Sequence, residues 1–399
     1  MCYLKFLRHI KSLIFNGLFL LFSFSVFAQQ TATKRVILFM IDGMHWQAPE
    51  KLNMPVLNSL IKEGTYIQKS YMIIPHHPTI GDYSKFNSCS FPNPMLHAGS
   101  VFVNPENKYL QERLSPQSQT AFVVNSTAYK SVARGFTTCI MDPNLTDDQV
   151  LEQSIFLLEN QHPVFMRIHL QSSGDIGQAV VSTSTSDKPY YRNIFGEKSP
   201  YVESVENADK LLGLLVDYLK KSVKWEETIL IVTSDHGQSI IGWHPLFDED
   251  SWVTPLLFVG NGIAKNRQLS YFEHTDIAPT IAWLLGVELP NNDGGSGKAV
   301  KEIMTASEGS SYSPQMYIKT INGQIKEYNL LKSKLMIAAE TDRSLSNVIA
   351  SLENENITPI PFYHQDRIME WEKAGSTEKM IEANEKILKQ MRHQLKSIQ

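Results

Sequence analysis

The chain has 399 residues, with 37 Lys and Arg against 41 Asp and Glu, and a formal net charge of -4 at pH 7. This mild acidity, without a basic cluster, excludes nucleic acid as a bulk partner. Its three cysteines, Cys2, Cys89 and Cys139, lack the Cys-x-x-Cys spacing of a zinc-thiolate site, and the length suffices for one large core or for one core with an appendage.

Lys5, Arg8 and Lys11 precede an apolar stretch over 13–27, and the small Ala28 follows Val26-Phe27. This pattern predicts a secretory signal peptide over 1–28, hence a secreted or periplasmic protein with no stable membrane anchor after cleavage. Cleavage removes three positive charges and no acidic ones, which takes the net charge from -4 to -7. An oxidising compartment permits a Cys89–Cys139 disulfide, and two free cysteines are the equal alternative.

Arg35-Val36-Ile37-Leu38-Phe39-Met40-Ile41 is the first strand pattern, and it ends in Asp42-Gly43. Further strand patterns lie at 66–73, 120–125, 163–170, 228–233 and 253–259. Helical patterns alternate with them. One spans 147–159, with Thr146 as its cap and Asp147 and Asp148 in the first turn. A second spans 202–221, where Val205, Ala208, Leu211, Leu212, Leu215, Val216 and Leu219 recur at three- and four-residue spacing. A third, 276–285, follows Thr275 and stops before Gly286. The alternation predicts an α/β fold, a doubly wound, mostly parallel sheet with helices on both faces. Asn-Asn-Asp-Gly-Gly-Ser-Gly-Lys at 291–298 reads as a flexible joint between a catalytic domain at 29–300 and a C-terminal extension at 301–399. The extension has no catalytic pattern. Asn322-Gly323 predicts a short hairpin, and 377–395 a charged docking helix with Met380, Ile381, Ala383, Ile387, Leu388 and Met391 on one side.

The densest chemistry follows the run Thr228-Ile229-Leu230-Ile231-Val232-Thr233, which ends in Ser234-Asp235-His236-Gly237. In parallel sheets, ligands bind beyond the carboxyl ends of the strands. An Asp-Gly after a strand is, alone, a turn signal. Two buried strands that deliver Asp42, Asp235 and His236 to one edge point instead to a metal site.

In this order, Ile37-Leu38-Phe39-Met40-Ile41-Asp42-Gly43, Thr233-Ser234-Asp235-His236-Gly237 and Thr275-Asp276-Ile277-Ala278-Pro279-Thr280 resemble the alkaline phosphatase superfamily. The similarity is to its type I phosphodiesterase/nucleotide pyrophosphatase and sulfatase-like branches, over roughly residues 34–290. It implies two divalent metal ions, zinc first, with manganese or calcium as alternatives. It implies Thr79, in Thr79-Ile80-Gly81-Asp82, as the nucleophile, and Asp82 at the position that binds the substrate anion. One metal would be held by Asp42, Thr79, Asp235 and His236. The other would be held by Asp175 and His244, with Gln171 offering a neutral oxygen where the family has Asp. His169 is expected behind the ligands or in the core, and His76 and His77 flank the nucleophile segment. The expected function is a secreted, metal-dependent hydrolase of small phosphate mono- or diesters. The alternatives are a sulfatase-like sulfuric ester hydrolase and a non-catalytic binding protein that keeps the fold. Cys89-Ser90-Phe91-Pro92-Asn93 does not match the Cys-x-Pro-x-Arg of formylglycine sulfatases.

Overall fold

The computed structural model describes residues 33–73, 108–130, 133–222, 224–245, 247–288, 297–354, 358, 362–364, 367, 370–371, 374 and 376–397. The signal-peptide expectation, Thr79, Asp82, His76, His77 and Cys89 lie outside them.

Nine described strands form one sheet: β1 Arg35–Ile41, β2 Thr65–Tyr71, β3 Thr120–Val124, β4 Thr138–Met141, β5 Phe165–Leu170, β6 Thr228–Thr233, β7 Val253–Gly260, β8 Arg267–Gln268 and β9 Phe272–Glu273. Their order is β4-β3-β5-β1-β6-β7-β2-β8, and β9 also pairs with β2. Pairing is parallel except around β7, which runs antiparallel to both β6 and β2. The carboxyl ends of β3, β5, β1, β6 and β2 therefore share one edge.

The alternation in β1 shows why the sheet is covered on both faces. Ile37, Phe39 and Ile41 enter one core and Val36, Leu38 and Met40 the other. Leu230 and Val232 of β6 join the first core, Ile229 and Ile231 the second. Helices α1 Pro55–Glu63, α2 Asp147–Asn160, α3 Ser172–Ala179 and α4 Pro200–Lys221 follow these strands, and α1, α2 and α4 close the first core. Helix α5 Ile277–Leu284 closes the second with Ile277 and Ile281. Truncating a fully buried anchor such as Phe39 to Ala costs about 3–5 kcal/mol. Local signals set the helix ends. Thr146 Oγ1 accepts from the Gln149 N–H, and Gln149 Oε1 accepts from the Thr146 N–H, a reciprocal cap worth about 1 kcal/mol. Pro200 opens α4, with Glu203 in its first turn and Lys220 and Lys221 in its last.

The expected doubly wound architecture is present, and the expected strands and helices match within about two residues. β4 lacks an apolar signal because it is an edge strand, with no residue fully buried. One expectation fails. Asn322-Gly323 forms no hairpin; it lies inside helix α6 Tyr317–Ala339. Ile318, Ile321, Ile325, Tyr328, Leu331 and Leu335 bury one face of that helix at three- and four-residue spacing, and this outweighs the local turn signal. Gly323 has no atom within 4 Å of a hypothetical Cβ, so nothing there required glycine. Helices α6, α7 Ser344–Glu353 and α8 Thr377–Lys396 share a third core with Tyr71, Met72, Trp252 and Tyr271. Asn322 Nδ2 donates to Met72 O at 2.8 Å, and Arg392 grips Glu327 from α8 to α6 at 2.6 and 2.7 Å. Among the described residues, no helix is long and apolar enough to cross a membrane.

Candidate metal centre

Asp42, Gln171 and Ser234-Asp235-His236 follow the carboxyl ends of three neighbouring strands, β1, β5 and β6. The Asp42 N–H donates to Leu170 O at 3.0 Å, which ties the first two strand ends together. The chain then turns at Gly43, whose φ is +60°, and a Cβ there would stand 2.9 Å from Gln238 Oε1. Conformation and space both call for glycine. The Gly43 N–H donates to Asp235 Oδ1 at 3.3 Å, the Met44 N–H to Ser234 Oγ at 3.0 Å, and Tyr201 OH to Gly43 O at 2.9 Å. These bonds fix the β1 turn against the β6 end.

Asp42, Asp235 and His236 are buried, and each offers one ligand atom within 4.8 Å of the others. His236 Nδ1 lies 2.8 Å from Gly237 O. A carbonyl only accepts, so Nδ1 carries a proton, and in the neutral ring Nε2 presents a lone pair. That Nε2 is 3.6 Å from Asp42 Oδ1 and 3.5 Å from Asp235 Oδ2. Asp235 Oδ2 is buried without a hydrogen-bond donor. A lone pair facing two carboxylate oxygens is repulsive unless a cation lies among them, so the donor set fits a divalent metal. Two oxygens and one imidazole suit zinc or manganese.

The second oxygen of Asp42 is held from behind. Oδ2 accepts from Tyr129 OH at 2.9 Å and lies 3.2 Å from His169 Nε2. Burial pushes the Asp42 carboxyl from 3.8 up to about 6; His236 and the Tyr129 hydroxyl oppose the rise, and Asp175 adds to it. Burial also pushes His169 down to about 3, so its ring is neutral. In metal-free protein, between pH 3.8 and about 6, folded Asp42 holds a proton that the unfolded chain releases, so stability falls as pH rises through this window. The loss attributable to Asp42 is about 3 kcal/mol. Melting of chelated protein across pH 4–7 checks this. Asp42→Asn should remove that part of the slope; an unchanged slope would refute the assignment.

Gly174, on α3, backs the same carboxylate. A Cβ at Gly174 would stand 1.8 Å from Asp42 Oδ1 and 2.6 Å from its Cγ. Gly174→Ala should therefore displace the ligand and weaken cation binding by about 10- to 100-fold. Calorimetric titration reads the effect, and parental affinity would show that Asp42 is not a ligand.

The sulfatase family model matches residues 95–287. Choline-sulfatase of Rhizobium meliloti (strain 1021) is 28% identical over 144 residues, which are 32% of this chain and 28% of that protein. A multifunctional alkaline phosphatase superfamily protein of Trinickia caryophylli is 28% identical over 141 residues, 33% of this chain and 26% of that protein. Phosphonate monoester hydrolase of Agrobacterium radiobacter shares the fold, with a TM-score of 0.54 and 13% identity over 70% of this chain and 79% of that one. The chain thus resembles the sulfatase family over residues 95–287, and its fold is that of solved structures such as a protein in the alkaline phosphatase superfamily from Vibrio parahaemolyticus, with a TM-score of 0.50 and 19% identity over 65% of this chain and 67% of that one. It spans about a quarter of the length of the curated relatives it matches.

Within this superfamily fold, the residues expected to hold a second metal are arranged less tightly. Gln171 Nε2 donates to Asp175 Oδ1 at 3.3 Å, and Asp175 is exposed on the first turn of α3. His244 is buried with its ring centroid 4.5 Å from that of His236, and Trp243 stacks on it at 3.9 Å. Among the described residues, one group of three His, Cys, Asp or Glu gathers at ligand distance, and it is Asp42, Asp235 and His236. The Gln171 segment is braced by residues that sequence reading missed. The Gln171 N–H donates to Asn125 Oδ1 at 3.0 Å, and Asn125 Nδ2 donates to Asp147 Oδ1 at 2.8 Å. Tyr129 was missed as well; it lies in a loop after β3, and nothing local in the sequence aims it at Asp42. Arg167 and His169 carried a usable signal, since two polar residues two apart in a buried strand need partners on one face. Cys139 is exposed on β4, and Cys89, the other cysteine of the expected pair, lies outside the described residues.

Proposed function

We propose that the chain hydrolyses small sulfate or phosphate esters at a divalent metal centre held by Asp42, Asp235 and His236. The observation that carries this reading is the three-residue donor set, with a lone pair and a donorless carboxylate oxygen turned toward each other. The sulfatase family match favours sulfate, and the likeness to a phosphonate hydrolase keeps phosphate in view.

A metal bound there would act as a Lewis acid toward the ester oxygens and would lower the pKa of an alcohol nucleophile. Gly237 O holds the His236 proton on Nδ1, which keeps Nε2 available as a ligand. Tyr129 occupies Asp42 Oδ2 and leaves Oδ1 on the His236 side. Thr79 is our candidate nucleophile. Its Oγ would form a bond to sulfur or phosphorus as the ester C–O oxygen departs, taking up a proton to become the product alcohol. Water would then cleave the Thr79 ester and release sulfate, phosphate or, from a diester, a phosphate monoester, returning the Thr79 hydroxyl. Asp82 would lie next to the substrate anion. Asp175 and His244, with Gln171, would hold a second cation. The signal pattern at 1–28 supports a secreted or periplasmic location.

The test is turnover of p-nitrophenyl sulfate, p-nitrophenyl phosphate and bis(p-nitrophenyl) phosphate by protein loaded with zinc or manganese. At least one should be hydrolysed in a chelator-sensitive manner. Inertness toward all three, with the metal bound, would favour the fold-retaining binding protein, a reading supported by Gln171 in place of a carboxylate ligand.

A further inference from the structure

We propose that Arg167 and His169 are positioning residues of the metal centre: Arg167 sets the tautomer of His169, and His169 then holds Asp42 Oδ2 so that Oδ1 faces the other ligands. This inference rests on the metal reading above. Arg167 Nη2 lies 3.3 Å from His169 Nδ1. A guanidinium is donor-only and stays charged, so Nδ1 must accept and the ring proton must sit on Nε2. His169 Nε2 is 3.2 Å from Asp42 Oδ2 and 3.1 Å from Tyr129 OH. The Nε2–H thus points at the carboxylate oxygen that is turned away from His236. With the opposite tautomer, a nitrogen lone pair would face that oxygen, and Tyr129 alone would hold the carboxylate.

The location argues for a dedicated role. Arg167 is fully buried in β5, between β1 and β3. Its guanidinium lies 5.0 Å from the ring centroid of Phe122 and 5.5 Å from that of Tyr129. Cation–π contact offsets only part of the cost of burying a charge, and an apolar side chain would fill the space more cheaply. What an apolar side chain cannot do is donate to His169. Arg167 and His169 are two residues apart on one strand, so β5 presents both to the same side and the relay needs no long-range coincidence. Relays of this kind fix ligand orientation, and their loss weakens metal binding by about 10- to 100-fold.

Two readouts test the proposal. Nitrogen-15 NMR of the parent should show His169 protonated at Nε2 and unprotonated at Nδ1. Arg167→Met should convert that signature to the other tautomer or a mixture. Calorimetric titration of manganese into chelator-stripped protein should show His169→Phe binding about 10- to 100-fold more weakly. His169→Gln keeps a donor and should retain affinity within a few-fold. An Nδ1–H tautomer in the parent overturns the proposal, whether or not any variant folds. Equal manganese affinity in the parent and in folded His169→Phe overturns it while leaving the metal centre intact. A parent that binds no manganese or zinc overturns the metal reading and this inference together.

Discussion

Asp235→Ala should give a folded protein that takes up no divalent cation and hydrolyses its ester at least about a thousandfold more slowly. Removal of a buried, paired charge normally destabilises a protein by about 3–5 kcal/mol. Asp235 is different. Its Oδ2 has no donor, its Oδ1 receives the Gly43 N–H at 3.3 Å and the Ser234 hydroxyl at 3.4 Å, both long, and it shares a buried cluster with Asp42 and His236. In metal-free protein this cluster sets two buried carboxylates against each other, and only a proton on Asp42 or His236 relieves them. The stripped variant should therefore melt no lower than the stripped parent, while the metal-loaded parent melts higher than both. A structural aspartate would give the opposite pattern, with a lower melting temperature and undiminished cation uptake. That outcome would end the assignment of Asp235 as a ligand.

Thr79→Ala should lower turnover by about three orders of magnitude or more while metal binding largely survives, and Thr79→Ser should keep measurable activity. The chain length beyond β2 is sufficient for Thr79 to reach the site. β2 ends at Tyr71 and runs in the direction of β1, because β7 between β6 and β2 reverses twice over. The chain thus leaves β2 at the edge that holds Asp42 and Asp235. β2 is three strand positions from β1, about 14 Å. Thr79 lies eight residue steps beyond Tyr71, which span up to about 28 Å when extended, twice what is needed. If Thr79→Ala hydrolyses as fast as the parent, the nucleophile lies elsewhere, and Ser84 and Ser88 on the same segment are next to test.

The sheet was legible because its strands are buried on both sides. Arg35–Ile41 and Thr228–Thr233 read as continuous apolar runs, and the ends of those runs point to Asp42 and Asp235 from pattern alone. Thr146 announced α2 through its cap, and α4 through its spacing. The failures have physical causes of a different kind. Asn322-Gly323 is a true local turn signal, overruled by a buried helical face that becomes visible only over twenty residues. Tyr129 contacts Asp42 across 87 positions of chain, and no periodicity reports such a contact. Gly174 carries its message by lacking a side chain, and the reason, an Asp42 oxygen in the space a Cβ would take, exists only in three dimensions. His244 shows the middle case. Its placement before β7 brought it to the site, but against the ring of His236 rather than into a second group of three ligands.

The most direct test of the metal-dependent reading is elemental analysis of the full chain before and after exhaustive chelation, with hydrolysis of p-nitrophenyl sulfate and p-nitrophenyl phosphate followed at each step. The account predicts at least one equivalent of divalent cation, lost together with activity and regained with it when zinc or manganese is added back. Full hydrolysis by protein verified to be metal-free would contradict it.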